Sequence, residues 1–225
     1  MTELAIINNR TLEGFNFCKK AYQVFYKIRY SPDGLRRIRI RDDRTKKLIE
    51  EVLPIARYVQ AVYYPGRRIR IRWIDGNQNY DGIAYHYGDD VKKGLQPKKI
   101  YLEVTNAVHQ KDHLHRKHLH EKGHVFGYGG IKLNKTTKEI ESTPVVRNGY
   151  EHISELVDLV KRRIGEKEKK KYPDPCVLII QYNTDTIICS DEWEVMIKAL
   201  KGIPDRDRFR EIFLLESNFR RQEFI

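Results

Sequence analysis

Two acidic residues stand in apolar, strand-like surroundings: Asp81 in Tyr80-Asp81-Gly82-Ile83-Ala84, and Glu103 in Ile100-Tyr101-Leu102-Glu103-Val104-Thr105. A carboxylate inside an apolar strand is costly unless it is paired, hydrogen-bonded or bound to a metal. Two of them on neighbouring strands can share one divalent cation, which is what a metal-dependent phosphodiesterase needs. Hard oxygen ligands of this kind suit Mg²⁺ or Mn²⁺. Each residue taken alone has a plainer reading. Asp-Gly is a common turn dipeptide, and Glu103 fits an exposed position on an edge strand.

Positioning such a pair takes strands, and the flanking sequence carries their signatures. Residues 67–74 alternate basic and apolar, Asp75-Gly76-Asn77-Gln78-Asn79 is a turn, and strands follow over 79–87 and 98–105. Upstream, Leu48, Ile49, Val52, Ile55, Ala56, Val59 and Val62 recur on a 3.6-residue period and predict a helix over 43–63, kinked or split at Pro54. Downstream, Ile153, Leu156, Val157, Val160 and Ile164 predict an amphipathic helix over 150–170, with Lys167-Glu168-Lys169-Lys170-Lys171 on its solvated face. The apolar run 176–180 predicts a strand buried on both faces. At the N-terminus, the aromatic and β-branched segment 21–30, the turn Ser31-Pro32-Asp33-Gly34 and the alternating segment 35–41 predict a β-hairpin. The strand over 67–74 nearly repeats 36–41, which reads as convergent strand patterning because the flanks differ. The expected organisation is an N-terminal β-hairpin extension over 1–42 and an α/β domain over 43–225, with a central mixed β-sheet flanked by helices.

The order helix, three strands, helix, strand, with Asp81 in the second strand and Glu103-Val104-Thr105 in the third, resembles the PD-(D/E)xK (restriction-endonuclease-like) nuclease superfamily over about 43–182. The resemblance implies that the acidic residues hold Mg²⁺ or Mn²⁺, which lowers the pKa of a bound water and neutralises charge on the scissile phosphate. It also implies the carbonyl of Val104 as a further ligand and an additional acid from the first helix. Glu51 is the candidate for that acid, because it flanks the apolar stripe while Glu50 points nearly opposite. The chain departs from the pattern at Thr105, where the family has a lysine; a hydroxyl can orient a water but brings no positive charge. Lys111 or a histidine from 109–124 could take that role, Gln181 could contribute from the following strand, or the activity could be weakened or lost. Pro32-Asp33-Gly34 spells the Pro-Asp motif but lies in a turn, without a Glu-bearing strand at the right distance. The implied activity is Mg²⁺-dependent endo- or exonuclease cleavage, of DNA rather than RNA. Two alternatives stand beside it: a nucleic-acid-binding module that kept the fold and lost the chemistry, and a zinc- or nickel-binding regulatory protein built on the histidines.

Six of the eight histidines lie in 109–124. On a helix, His109 and His113 would share a face, as would His120 and His124, and such pairs can bind zinc or nickel. With Lys111, Arg116, Lys117 and Lys122 interleaved, the run also fits a basic arm along phosphates, its charge rising below pH ~6.5. The glycines that follow read as a mobile loop over the sheet. Arg37, Arg39 and Arg41, and likewise Arg68, Arg70 and Arg72, alternate with isoleucines, so each set lies on one face of a strand. That suits a cationic ribbon along a nucleic-acid backbone, with Tyr22, Tyr26 and Tyr30 for stacking, or plain edge protection.

Composition sets the bounds. A chain of 225 residues with net charge +12 and 43 Lys plus Arg favours polyanionic partners, DNA foremost. No apolar run approaches the ~18 residues of a membrane span, and the N-terminus lacks the layout of a signal peptide. Cys18, Cys176 and Cys189 fit neither a disulfide framework nor a zinc ribbon. A reduced, cytoplasmic protein is expected, and a homodimer is compatible with it.

Overall fold

A computed structural model describes residues 3–225 apart from 147, 184–188, 204–207 and 219, with residue 44 described by its backbone alone. In chain order the elements are β1 (Thr11–Glu13), α1 (Gly14–Arg29), α2 (Gly34–Ile40), α3 (Asp43–Lys47), a π-helical turn (Leu48–Val52), α4 (Leu53–Val62), β2 (Arg68–Trp73), β3 (Gly82–Tyr87), α5 (Asp89–Lys92), β4 (Lys99–Ala107), α6 (Asp112–Lys122), β5 (Ile131–Leu133), β6 (Ile140–Ser142), α7 (Gly149–Glu168), β7 (Cys176–Tyr182), α8 (Ser190–Lys201), β8 (Glu211–Glu216) and β9 (Gln222–Phe224). The architecture is α/β. One mixed seven-stranded sheet runs β1-β2-β3-β4-β7-β8-β9, and β5 and β6 form a separate hairpin. The first four strands are antiparallel neighbours, β4, β7 and β8 are parallel, and β9 closes the far edge antiparallel to β8.

Each face of the sheet buries its own core. On the first face, Ile69, Ile71, Trp73, Ala84, Ile100, Leu102, Val104, Val177 and Ile179 pack under α1 and α4. On the second, Ala107, Leu178, Ile180, Tyr182, Ile212 and Leu214 pack under α7 and α8. The alternation follows from the two-residue period of strands. The fully buried run of β7 reflects a parallel strand covered on both sides.

The N-terminal hairpin expected over 21–41 is corrected to two helices. Phe17, Cys18, Ala21, Val24 and Ile28 recur at helical spacing and are buried in α1, in the same core as α4 and β2. The aromatic positions 22, 26 and 30 that suggest a strand are four residues apart, one helical face. Ser31-Pro32-Asp33-Gly34 is indeed a turn, but between helices. A Cβ on Gly34 would lie 1.8 Å from the carbonyl oxygen of Ile28, so only glycine allows this approach. The six residues Arg-Arg-Ile-Arg-Ile-Arg occur identically at 36–41 and 67–72; the first copy is helical and ends in a left-handed cap at Arg41, and the second is strand.

The helix expected over 43–63 is interrupted without bending away. Pro54 has no N–H for the carbonyl of Glu50. The turn widens there, the Leu53 N–H reaches back to the carbonyl of Leu48, and the side-chain amide of Asn106 approaches the Glu50 carbonyl at 3.5 Å. Such widened turns rotate the register of what they carry, here Glu50 and Glu51. No helix among the described residues is long and apolar enough to cross a membrane. Cys18 and Cys176 are buried free thiols and Cys189 is an exposed one.

Candidate active site

β3 begins at Gly82, opposite Leu102, and β4 runs on past it. Asp81 occupies the notch this leaves. Its N–H donates to the carbonyl of Leu102 at 2.8 Å, and its Oδ2 accepts the N–H of Val104 at 2.7 Å. Because N–H and C=O of one strand residue point to the same side, the carbonyl of Val104 faces the same notch. Glu103 follows Leu102 and turns its buried side chain to the second face, where Oε1 pairs with the ammonium of Lys167 and lies 3.4 Å from the hydroxyl of Tyr172. Glu51 approaches from the π-helical turn, its Oε2 accepting the indole N–H of Trp73 at 3.1 Å. Lys47 pairs with Asp75 and also feels Glu51 and Asp81.

The electrostatics follow from crowding acids in a partly dry notch. Asp81 is pushed up to about 7, first by burial, then by the charges of Glu103 and Glu51, against the Val104 hydrogen bond and the charge of Lys167. Burial likewise raises Glu51, against its bond from Trp73 and the charge of Lys47. Carboxylates outnumber cations at this spot although the whole chain is basic. Such a cluster offers hard oxygen donors, one group that exchanges a proton near neutrality, and one fixed ammonium. Among the described residues no group of three or more His, Cys, Asp and Glu side chains is arranged to hold a metal ion. Asp81, Glu103 and the Val104 carbonyl lie close to one another without forming such a group.

No protein-family model, curated protein or solved structure matches the chain. The site is accordingly read from its own chemistry.

Of the residues singled out in the sequence, Asp81 bonds the Val104 N–H and feels the charges of Glu103 and Glu51, which approach it from opposite faces of the sheet. Thr105 is buried at the next same-face position of β4. Lys111 does not join them; its ammonium lies 3.4 Å from the carbonyl of Tyr128. Gln181 is buried on the opposite face of the sheet from Glu103, in the floor of a cavity of about 410 Å³ that Arg39, Arg41 and Arg116 also line. The residue the sequence reading missed is Lys167. It extends the stripe of Val160 and Ile164 by one helical step, and a lysine continuing an apolar stripe is the signal that it points inward. The reading of 167–171 as a solvated face is thus corrected at its first residue, whose side chain is only 16% exposed.

The histidine run is α6 with frayed logic at both ends. His109 precedes the helix and stacks on Tyr128 at 4.6 Å, while His124 follows the left-handed Gly123. Neither i,i+4 pair shares a helical face. The glycine-rich segment expected as a mobile loop is fastened by buried Tyr128, whose hydroxyl donates to Asp112 at 3.0 Å. Arg116 pairs with Asp112 at 2.7 Å and donates to the carbonyl of Ile40 at 3.3 Å, capping α2. Arg37 is tied to Glu3 and Asp42 at 3.1 and 3.2 Å. Both arginines therefore serve the fold, and Lys117 sits exposed near Glu121. Arg68 and Arg70 are exposed on β2, and Arg72 beside them holds the Asn9 side chain.

Proposed function

We propose that this protein is a metal-dependent nuclease of the PD-(D/E)xK type that hydrolyses phosphodiester bonds in DNA. Asp81 and Glu103 are its Mg²⁺ or Mn²⁺ ligands, with the Val104 carbonyl beside them and Glu51 as a third acid. The observation that carries this reading is Lys167. It delivers to Glu103 an ammonium from α7, so a buried acid, the half-buried Asp81 and a cation come together even though position 105 is a threonine.

The donor set suits a hard divalent cation, because Asp81 is a desolvated acid held beside other acids, and a bound dication relieves that repulsion. The ion would supply a more acidic bound water and offset phosphate charge. Asp81 contributes an oxygen once deprotonated, so metal affinity rises as pH passes through about 7. Its Oδ2 stays oriented by the Val104 N–H. Lys167 places positive charge where charge builds on a phosphate oxygen, and the Thr105 hydroxyl can orient a water.

The test is incubation with plasmid and linear DNA in Mn²⁺ or Mg²⁺ against EDTA, with Asp81→Ala and Lys167→Ala alongside wild type. Metal-dependent cutting lost in both variants supports the reading. Cutting lost in Asp81→Ala but retained in Lys167→Ala removes the assigned role of Lys167. A second reading, a DNA-binding module without chemistry, is favoured by the commitment of Glu103 to its ion pair. It predicts salt-sensitive DNA binding by all three proteins and no cutting by any.

A further inference from the structure

The second face of the sheet is covered unevenly. α7 and α8 pack over β4, β7 and β8, and the buried cluster beneath them takes no side chain from β1, β2 or β3. The face those strands present is half-open and mostly polar: Arg68 and Arg70 are exposed, Tyr85, Tyr87, Lys99 and Tyr101 are half-buried, and Ile83 lies buried among them. Register places Arg68 opposite Tyr87, then Arg70, Tyr85 and Lys99 in one row across three strands, then Arg72, Ile83 and Tyr101 in the next. Lys99, Tyr101 and Glu103 alternate along β4, so this surface leads by two-residue steps to the carboxylate of the candidate site. Its cations lie against its rings: Arg70 is 5.3 Å from the centre of Tyr87 and Lys99 is 4.4 Å from that of Tyr101, against which Tyr80 packs edge-on at 4.8 Å. Glu13 lies opposite Arg70, but its Oε2 is occupied by the N–H of Asn16.

We propose that this half-open face is a platform for single-stranded DNA, along which the strand reaches Asp81 and Glu103. The cations fit a polyanion, and the interleaved tyrosines decide the strandedness. Rings standing on a sheet can stack only on unpaired bases, and a sheet face cannot enter a duplex groove. The assignment rests on the nuclease reading for its direction toward Glu103 and its choice of DNA, whereas the binding itself needs no metal.

The experiment is fluorescence anisotropy in EDTA with a labelled oligo-thymidine of about 20 nucleotides, a blunt duplex of the same length and an oligo-uridine. Wild type, Tyr85→Ala, Tyr85→Phe and Arg70→Ala are compared. The single strand should bind at least tenfold tighter than the duplex. Tyr85→Ala should weaken it about tenfold with an unchanged salt slope, and Tyr85→Phe should restore it. Arg70→Ala should lower the slope of log K against log salt by about 0.7, one phosphate contact on a single strand. Duplex binding as tight as single-strand binding, tenfold tighter binding of oligo-uridine, or wild-type affinity in both Tyr85→Ala and Arg70→Ala overturns the platform. The two readings fail separately: if the platform variants behave as stated while wild type cuts nothing in Mn²⁺, the nuclease falls and the platform stands. Metal-dependent cutting with unaffected binding in the variants does the reverse.

Discussion

Asp81 is where burial and charge conflict most. Its carboxyl is raised to about 7 in the folded protein against 3.8 for an ordinary aspartate. The folded state therefore binds the proton more tightly than the unfolded chain, and stability falls as pH rises from about 4 through 7. Asp81→Asn keeps an acceptor for the Val104 N–H and removes the charge. At pH 8 it should raise unfolding free energy by something on the order of 3 kcal/mol, an advantage that fades below pH 5; urea titrations across pH measure it. If the site takes a dication, millimolar Mn²⁺ should raise the wild-type melting temperature at pH 8 and leave Asp81→Asn unmoved. Lys167 makes the opposite case. Lys167→Met strands Glu103 with its buried charge and should cost about 3 kcal/mol, while adding Glu103→Gln recovers much of it, since breaking one side of a buried pair is worse than removing both. Asp81 and Glu103 are legible in the sequence because acids in apolar strands are rare. Lys167 hides because it sits in a lysine-rich stretch, and only its phase relative to Ile164 separates it from its neighbours.

At the scale of elements, β2, β3, β4, β7 and α7 read directly from periodicity, since each buries the face its pattern marks. The region 21–41 misleads for a physical reason. Its β-branched and aromatic residues favour strands, but the sheet offers them no place, and α1 instead buries Phe17, Ala21, Val24 and Ile28 against α4. Tertiary packing overrides local preference there. The turn that allows it depends on Gly34, so Gly34→Ala should destabilise the protein by about 3 kcal/mol or more, because its Cβ would meet backbone and not a movable side chain. The histidine run is likewise illegible from spacing, because Gly123 ends the helix before His124 and the pairing it would need.

Across the whole molecule, excess positive charge surrounds a small acidic notch. Binding of DNA should fall steeply between 50 and 200 mM salt, by at least tenfold if four or more phosphates are contacted, a titration that anisotropy follows directly. Arg68, Arg70 and Lys99 should account for part of that slope, and Arg37 and Arg116, tied into ion pairs, should add little. The duplicated hexapeptide has a different consequence. A chain that holds the same six residues twice carries a decoy for its own sheet, since either copy can lie along 82–87 with identical alternation of isoleucine and arginine. Connectivity favours the later copy by about 1 kcal/mol, its loop to β3 being less than a quarter as long. In the folded protein the tight turn at Gly34 leads the first copy into α2 instead. If that turn keeps the first copy out of the sheet, refolding yield should suffer in Gly34 variants well beyond their loss of equilibrium stability, which refolding from urea measures.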